Sequence, residues 1–436
     1  MVSNVVEYTE INQDDKIDAE GYVLLPSSIL IAYGEVMLPG YIKAFANGEG
    51  IFSSGYGRVT VQGDIGTEDE HLQQVEVVDE LDIEGSLYAQ TLELYNDSYL
   101  RIGKTGQEET LIVSADIKAL SHDFTTVLVK QDANFKGNIG SYDAYVGYIG
   151  VSDAQVSFSG DVFVKNIGLG QYDSDETSIT FESDTHQDIF ANIKTHTTHT
   201  SSVYFNSDAT AYGEIGSQVS LLEHVKIDNG AEVRIYQDIY ADTIEVTGHG
   251  SRFISHEHVL NGNVIIGQGA TMAPVNLVQV TKDLTVYGNI DLAVGTMIVD
   301  DHLGAEEDTT DNLLELANTS TVSVVKDAYI ARTIKVDSAT ISEGFIIDVK
   351  AEGGNRSGYV ELGSEQQIIS VDNNITYTGA DASEIEVTDN HDFFDFEASI
   401  DEDGLKLTTV VAESVNHIIA SRVSGYDFNV AVGEFG

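Results

Sequence analysis

The chain has no cysteine and no tryptophan, only three prolines (Pro26, Pro39 and Pro274), and 21 lysines and arginines among 436 residues. Without cysteine there are no disulfides, thiol nucleophiles or thiolate metal sites. The missing tryptophans and seven scattered arginines (Arg58, Arg101, Arg234, Arg252, Arg332, Arg356, Arg422) give no convergent site of the kind glycan-cleaving enzymes use. No catalytic residue is therefore assigned, and the chain is read as a non-enzyme. So few prolines suit strands that must donate backbone bonds as well as accept them. Basic residues are outnumbered by 72 acidic ones, a net charge of −51. That charge argues against nucleic acid and anionic membranes as partners unless cations intervene, and makes cations the favoured small ligands.

No run is long and apolar enough for a membrane span, since residues 22–42 are interrupted by Pro26, Glu35 and Pro39. The start MVSNVVEYTEINQDDKID lacks the basic and apolar regions of a cleaved signal peptide, which leaves a start that is already the mature one, export by another route, or retention inside the cell. With a surface role, export without a cleaved signal peptide is the expectation.

What is present is a recurring pattern. Residues 233–246, VRIYQDIYADTIEV, form two alternating apolar runs around a polar corner at Asp238. The pattern returns as LDIEGSLYAQTL (81–92), VSFSGDVFVKNI (156–167), VYFNSDATAYGEI (203–215), VQVTKDLTVYGNI (278–290) and VSVVKDAYIARTI (322–334). Many copies follow one another at roughly 22–24 residues, a period in the range of solenoid repeats. The step from Leu81 to Val127 reads as two units, and the longer steps from Val127 to Val156 and from Val203 to Val233 read as units with insertions. LIVSADIKAL (111–120) lies off this phase.

A repeat of this length without helical periodicity predicts an all-β fold, a parallel β-helix (β-solenoid) with coils of about 22–24 residues and capped ends. Val233, Ile235, Ile239 and Ile244 should face the core, and Arg234, Gln237 and Glu245 should face out. The expected organisation is an N-terminal cap or assembly segment over 1–55, the solenoid over 56–383, and a C-terminal cap, assembly or export segment over 384–436. Within that last segment, 415–436 alternates like a final strand pair.

Corner aspartates stacked coil on coil would repel unless they face solvent or share a cation. One reading is a solvated row of turn residues; the other is calcium bridging, because calcium takes irregular shells of carboxylate and carbonyl oxygen. Asp208, Asp238, Asp283 and Asp327 are the calcium candidates, with the acidic runs 182–188 and 300–311 beside them. His196 with His199, or His256 with His258, could hold a transition metal, but no third ligand follows from the spacing. Polar loop residues are the simpler account of these histidines.

Stretches such as SLYAQTLEL (86–94), IYADTIEVTGHGSRF (239–253) and LNGNVIIGQGATM (260–272) resemble the repeats of bacterial autotransporter passengers and other surface β-solenoids, including surface-layer proteins. The texture is also similar to that of bactofilins, cytoplasmic β-solenoid polymers with shorter coils. The surface resemblance implies an extracellular, cell-surface structural protein that self-assembles with divalent cations into a layer, sheath or filament. Its partners would be its own copies and cell-surface glycan. An adhesin and a glycan-cleaving β-helix enzyme are the alternatives. An adhesin predicts a discrete aromatic patch, whereas a lattice protein predicts several self-contacting surfaces.

Overall fold

The computed structural model describes residues 7–12, 21–120, 124–170, 177–299, 312–325, 332–350, 362–389 and 394–412. Asp327, the run 300–311 and the tail 415–436 lie outside them. The chain is a parallel β-solenoid of about 14 coils, divided into two compact units, Met1–Asp242 and Thr243–Gly436. No helix among the described residues is long and apolar enough to cross a membrane.

In the first unit each coil turns three sides inward, and on each side one buried residue can be followed as it pairs with its counterpart one coil away. The first ladder is Ile42, Ile65, Leu87, Val113, Phe135, Phe158, Phe181, Phe205 and Ile227. The second is Phe52, Val75, Leu92, Ile117, Ile139, Val162, Ile189, Ala211 and Ile235. The third is Val59, Leu81, Leu100, Val127, Ile149, Ile167, Ile193, Ile215 and Ile239. Every member is at most 1 % exposed, so the alternation in the sequence has become three walls around one core. β-Branched residues dominate because they fill a pleated surface with few rotamers to lose. Within the first ladder Phe135, Phe158, Phe181 and Phe205 stack at 5.3, 5.7 and 5.2 Å, each pair adding about 0.5–1.5 kcal/mol beyond burial.

The expected orientations hold: Val233, Ile235, Ile239 and Ile244 are buried, Arg234 and Gln237 are exposed and Glu245 is partly so. The step from Leu81 to Val127 is two coils, with Leu100 between them on the third ladder. LIVSADIKAL is an ordinary coil segment, carrying Val113 and Ile117 on the first and second ladders.

The two longer steps are not insertions. Val127 lies on the third ladder while Val156 sits in a strand of the first; Val203 lies in a strand of the first while Val233 sits in one of the second. The motif has moved to the next face. A longer repeat explains the shift: Ile65-Gly66, Ile139-Gly140 and Ile215-Gly216 begin similar stretches at nearly equal intervals. Each interval makes three and a third coils, so successive copies start on ladders one, two and three.

Coil pairing already includes Ser28–Tyr33 with Glu49–Ser54 in parallel, inside the stretch 1–55 read as an end segment. In the second unit one ladder runs through Ile266, Val286, Leu316 and Ile341, and another through Met272, Ile290, Val322 and Ile347. The hairpin Phe394–Asp401 with Gly404–Val411 then pairs antiparallel with the strand Glu365–Tyr377. Leu405 and Leu407, on the second strand of the hairpin, are buried.

Because each ladder residue contacts only its neighbours in space, damage should stay local. Ile235→Ala should destabilise the adjacent coils by about 2–5 kcal/mol. Ile235→Asp should abolish folding there, because a buried, unpaired carboxylate costs several kcal/mol. Hydrogen exchange resolved by segment should show protection lost around residues 209–239 first; uniform loss across the chain would contradict the ladder account.

Candidate binding surface

Outward residues inherit the register of the inward ones, since each follows or precedes a ladder member. Next to the second ladder the outward residues are Lys118, Gly140, Phe163, Phe190, Tyr212 and Tyr236. The last four form an aromatic column outside the core. Phe163 and Phe190 are 5.0 Å apart with planes 11° from parallel, Phe190 and Tyr212 are 4.1 Å apart at 8°, and Tyr212 and Tyr236 are 5.5 Å apart at 3°. Their facing surfaces cover one another, and the Tyr212 hydroxyl donates sideways to Asp188 at 3.5 Å. Tyr212 remains 38 % exposed.

Two more tyrosines join from the loop before the column. Tyr145 lies 5.9 Å from Phe163 and 6.5 Å from Phe190, nearly perpendicular to both. Tyr142 meets Phe190 edge-to-face at 6.3 Å and is itself 72 % exposed. Both ring planes therefore run along the column. Polar columns flank it on either side: Asp161, Asp188, Thr210 and Arg234 precede the rings along their strands, and Asn192, Glu214 and Asp238 follow them. An open cavity of about 360 Å³ lies against Tyr145, Lys165, Phe190, Asn192 and Tyr212. Burial, then Asp188 and Tyr236, raises the Tyr212 phenol above its ordinary range, and burial with Tyr142 beside it does the same for Tyr145. Both phenols are neutral hydrogen-bonding groups at physiological pH.

The corner carboxylates have a different task. Where the chain bends, the strand ladder is interrupted and an amide would be left without an acceptor. A side chain from the preceding coil supplies one. Asp116 accepts from the Asn138 amide at 3.0 Å, Asn138 from Asp161 at 2.9 Å, and Asp161 from Asp188 at 2.9 Å. Asp208 likewise accepts from the Glu232 amide at 2.7 Å and Asp283 from Leu313 at 3.0 Å. Asp238 accepts the Tyr240 hydroxyl at 3.1 Å.

The expected row of calcium ligands is not formed by Asp208 and Asp238. Register sets Asp208 opposite Glu232 and Asp238 opposite Glu214, on different corners, because the motif changes face between them. Among the described residues no three His, Asp or Glu side chains converge as a metal would require. His196 contacts the Tyr148 hydroxyl at 3.1 Å, and His199 pairs with Asp242. His256 and His258 are both partly buried.

The aromatic column escapes a reading of the sequence alone. Its rings are unevenly spaced along the chain, and only the ladder register aligns them. The recurring Ile-Gly pairs that begin at Ile65, Ile139 and Ile215 are the available signal. The chain matches no protein-family model, and no curated protein matches it significantly.

Asp161→Ala should cost roughly 1 kcal/mol in urea denaturation by stranding the Asp188 amide. Asp161→Asn, which keeps the acceptor, should cost nothing; equal losses would refute the bracket. Tyr240 supplies a pH test, as its phenol is pushed up to about 12 by burial, then by Asp238 and Glu214. Its folded pKa exceeds the unfolded value of about 10, so its contribution is complete below about pH 10 and is lost as pH rises toward 12. Ultraviolet titration should show a late-titrating fraction, to which Tyr145 and Tyr212 also contribute, that shrinks by one tyrosine near pH 12 in Tyr240→Phe.

Proposed function

We propose that this chain is a non-catalytic, adhesin-type surface protein whose first unit binds a linear, uncharged glycan along the aromatic column. The observation that carries the reading is the column itself: four rings in register on consecutive coils, flanked on both sides by hydrogen-bonding side chains. The faces of Tyr142 and Tyr145, whose planes run along the column, take the C–H surfaces of a sugar; the column edges add apolar contact, and the flanking carboxylates, amides and guanidinium take its hydroxyls. The strand spacing of about 4.8 Å repeats each element at close to the length of one pyranose unit. With a net charge of −51, polyanionic glycans are repelled, which leaves neutral chains as the matching class.

The lattice reading draws its support from charge and from corner carboxylates awaiting cations. Asp208 and Asp283 already have amide partners, so a cation is not needed to account for them. The discrete aromatic patch is the feature that separates an adhesin from a lattice protein.

The test is binding to a panel of linear, uncharged hexasaccharides built from glucose, mannose, galactose or N-acetylglucosamine, with a polyuronate as the charged control. At least one neutral hexasaccharide should bind and remain uncleaved, and Tyr212→Ala with Tyr236→Ala should weaken it at least tenfold while the circular dichroism spectrum is kept. Binding that survives the double substitution, or release of shorter sugars, would defeat the proposal.

A further inference from the structure

The aromatic column has a built end. Directly before Phe163 on the same outward row stands Gly140, where the chain leaves the wall and pouches outward. Gly140 has φ +71°, and a side chain there would meet the Phe163 carbonyl at 2.2 Å, so this exit depends on glycine. Ser141 and Ala144 close the pouch by exchanging two backbone bonds of 3.0 Å. The loop thus stands in line with the column and sends Tyr142 and Tyr145 onto its first two rings. Related loops at Thr67–Glu70 and Ser217–Ser220 have the same paired backbone bonds, but they follow Ile65 and Ile215 on the first and third ladders. Neither obstructs the column.

From this we infer that the site recognises the end of a glycan chain and not an internal stretch. The inference rests on the glycan reading above. A ligand laid along Tyr236 and Tyr212 runs toward Phe190 and meets the loop, so its terminal sugar occupies the cavity between Tyr145, Lys165 and Asn192. A polymer could not continue past that point without leaving the row. Tyr142 is the positioning residue of this stop, because it packs on Phe190 from the loop while remaining largely exposed.

The experiment compares the hexasaccharides of the panel with the polymers built from the same sugars, measuring by light scattering and calorimetry how many full-length protein molecules each glycan chain carries. End recognition predicts one protein per chain at any length and an unchanged affinity per mole of chain. Replacing Ser141–Ala144 with a two-glycine link should let the number bound rise with polymer length, as should Tyr142→Ala to a smaller degree. If the hexasaccharide binds but the unmodified protein already loads polymers in proportion to length, end recognition is wrong and the glycan reading stands. If neither hexasaccharide nor polymer binds, the glycan reading fails and takes this inference with it.

Discussion

The structure depends on one constraint, the fixed register between each coil and the next. The inward residues on each of a coil's three sides must meet those of its neighbours, and a slip by one residue would turn a whole side outward. Val, Ile, Leu and the Phe135 to Phe205 stack meet that demand in the first unit with almost no exposed core. Once the inward side is fixed, the outward side is fixed too. Columns of like side chains on the surface are thus a consequence of core packing, and the row Phe163, Phe190, Tyr212 and Tyr236 inherits its alignment from Val162, Ile189, Ala211 and Ile235.

The same register explains how so acidic a chain tolerates stacked carboxylates. At the corners the backbone presents amides that have lost their strand partners, and a carboxylate oxygen one coil away is a strong acceptor for them. Asn138 between Asp116 and Asp161 makes the same bond without adding charge. Elsewhere basic residues are concentrated where acids crowd: Arg58 and Arg101 both bind Asp82, and Arg101 also reaches Glu80 and lies over the Tyr99 ring. With 21 basic residues for 72 acids, most carboxylates must rely on backbone amides and water.

The longer Ile-Gly repeat adds a second level of order. Because it spans three and a third coils, each copy of the Ile-Gly exit and its loop is carried to a new face. The copies have then diverged: the residue just after the loop and the ring it approaches are His71 and Tyr88 in one copy and Tyr145 and Phe163 in the next. Among the described residues, only the second copy stands at the foot of an aromatic column. A repeat that rotates can therefore give one face a binding surface without imposing it on the others.

The sequence alone determined the fold class, the inward positions from Val233 to Ile244 and an approximate coil length, because burial enforces a period of two along every strand. It also marked the corners, since only a few residue types turn a strand sharply and accept an amide. It could not tell which outward residues lie above one another. Coil lengths vary with the loops, so the step from Phe163 to Phe190 is longer than the step from Phe190 to Tyr212. Because the motif itself moves to the next face, Asp208 and Asp238, read from it as one row, lie on different corners. Hydrogen bonding between coils decides that alignment, and it exists only when the coils are stacked.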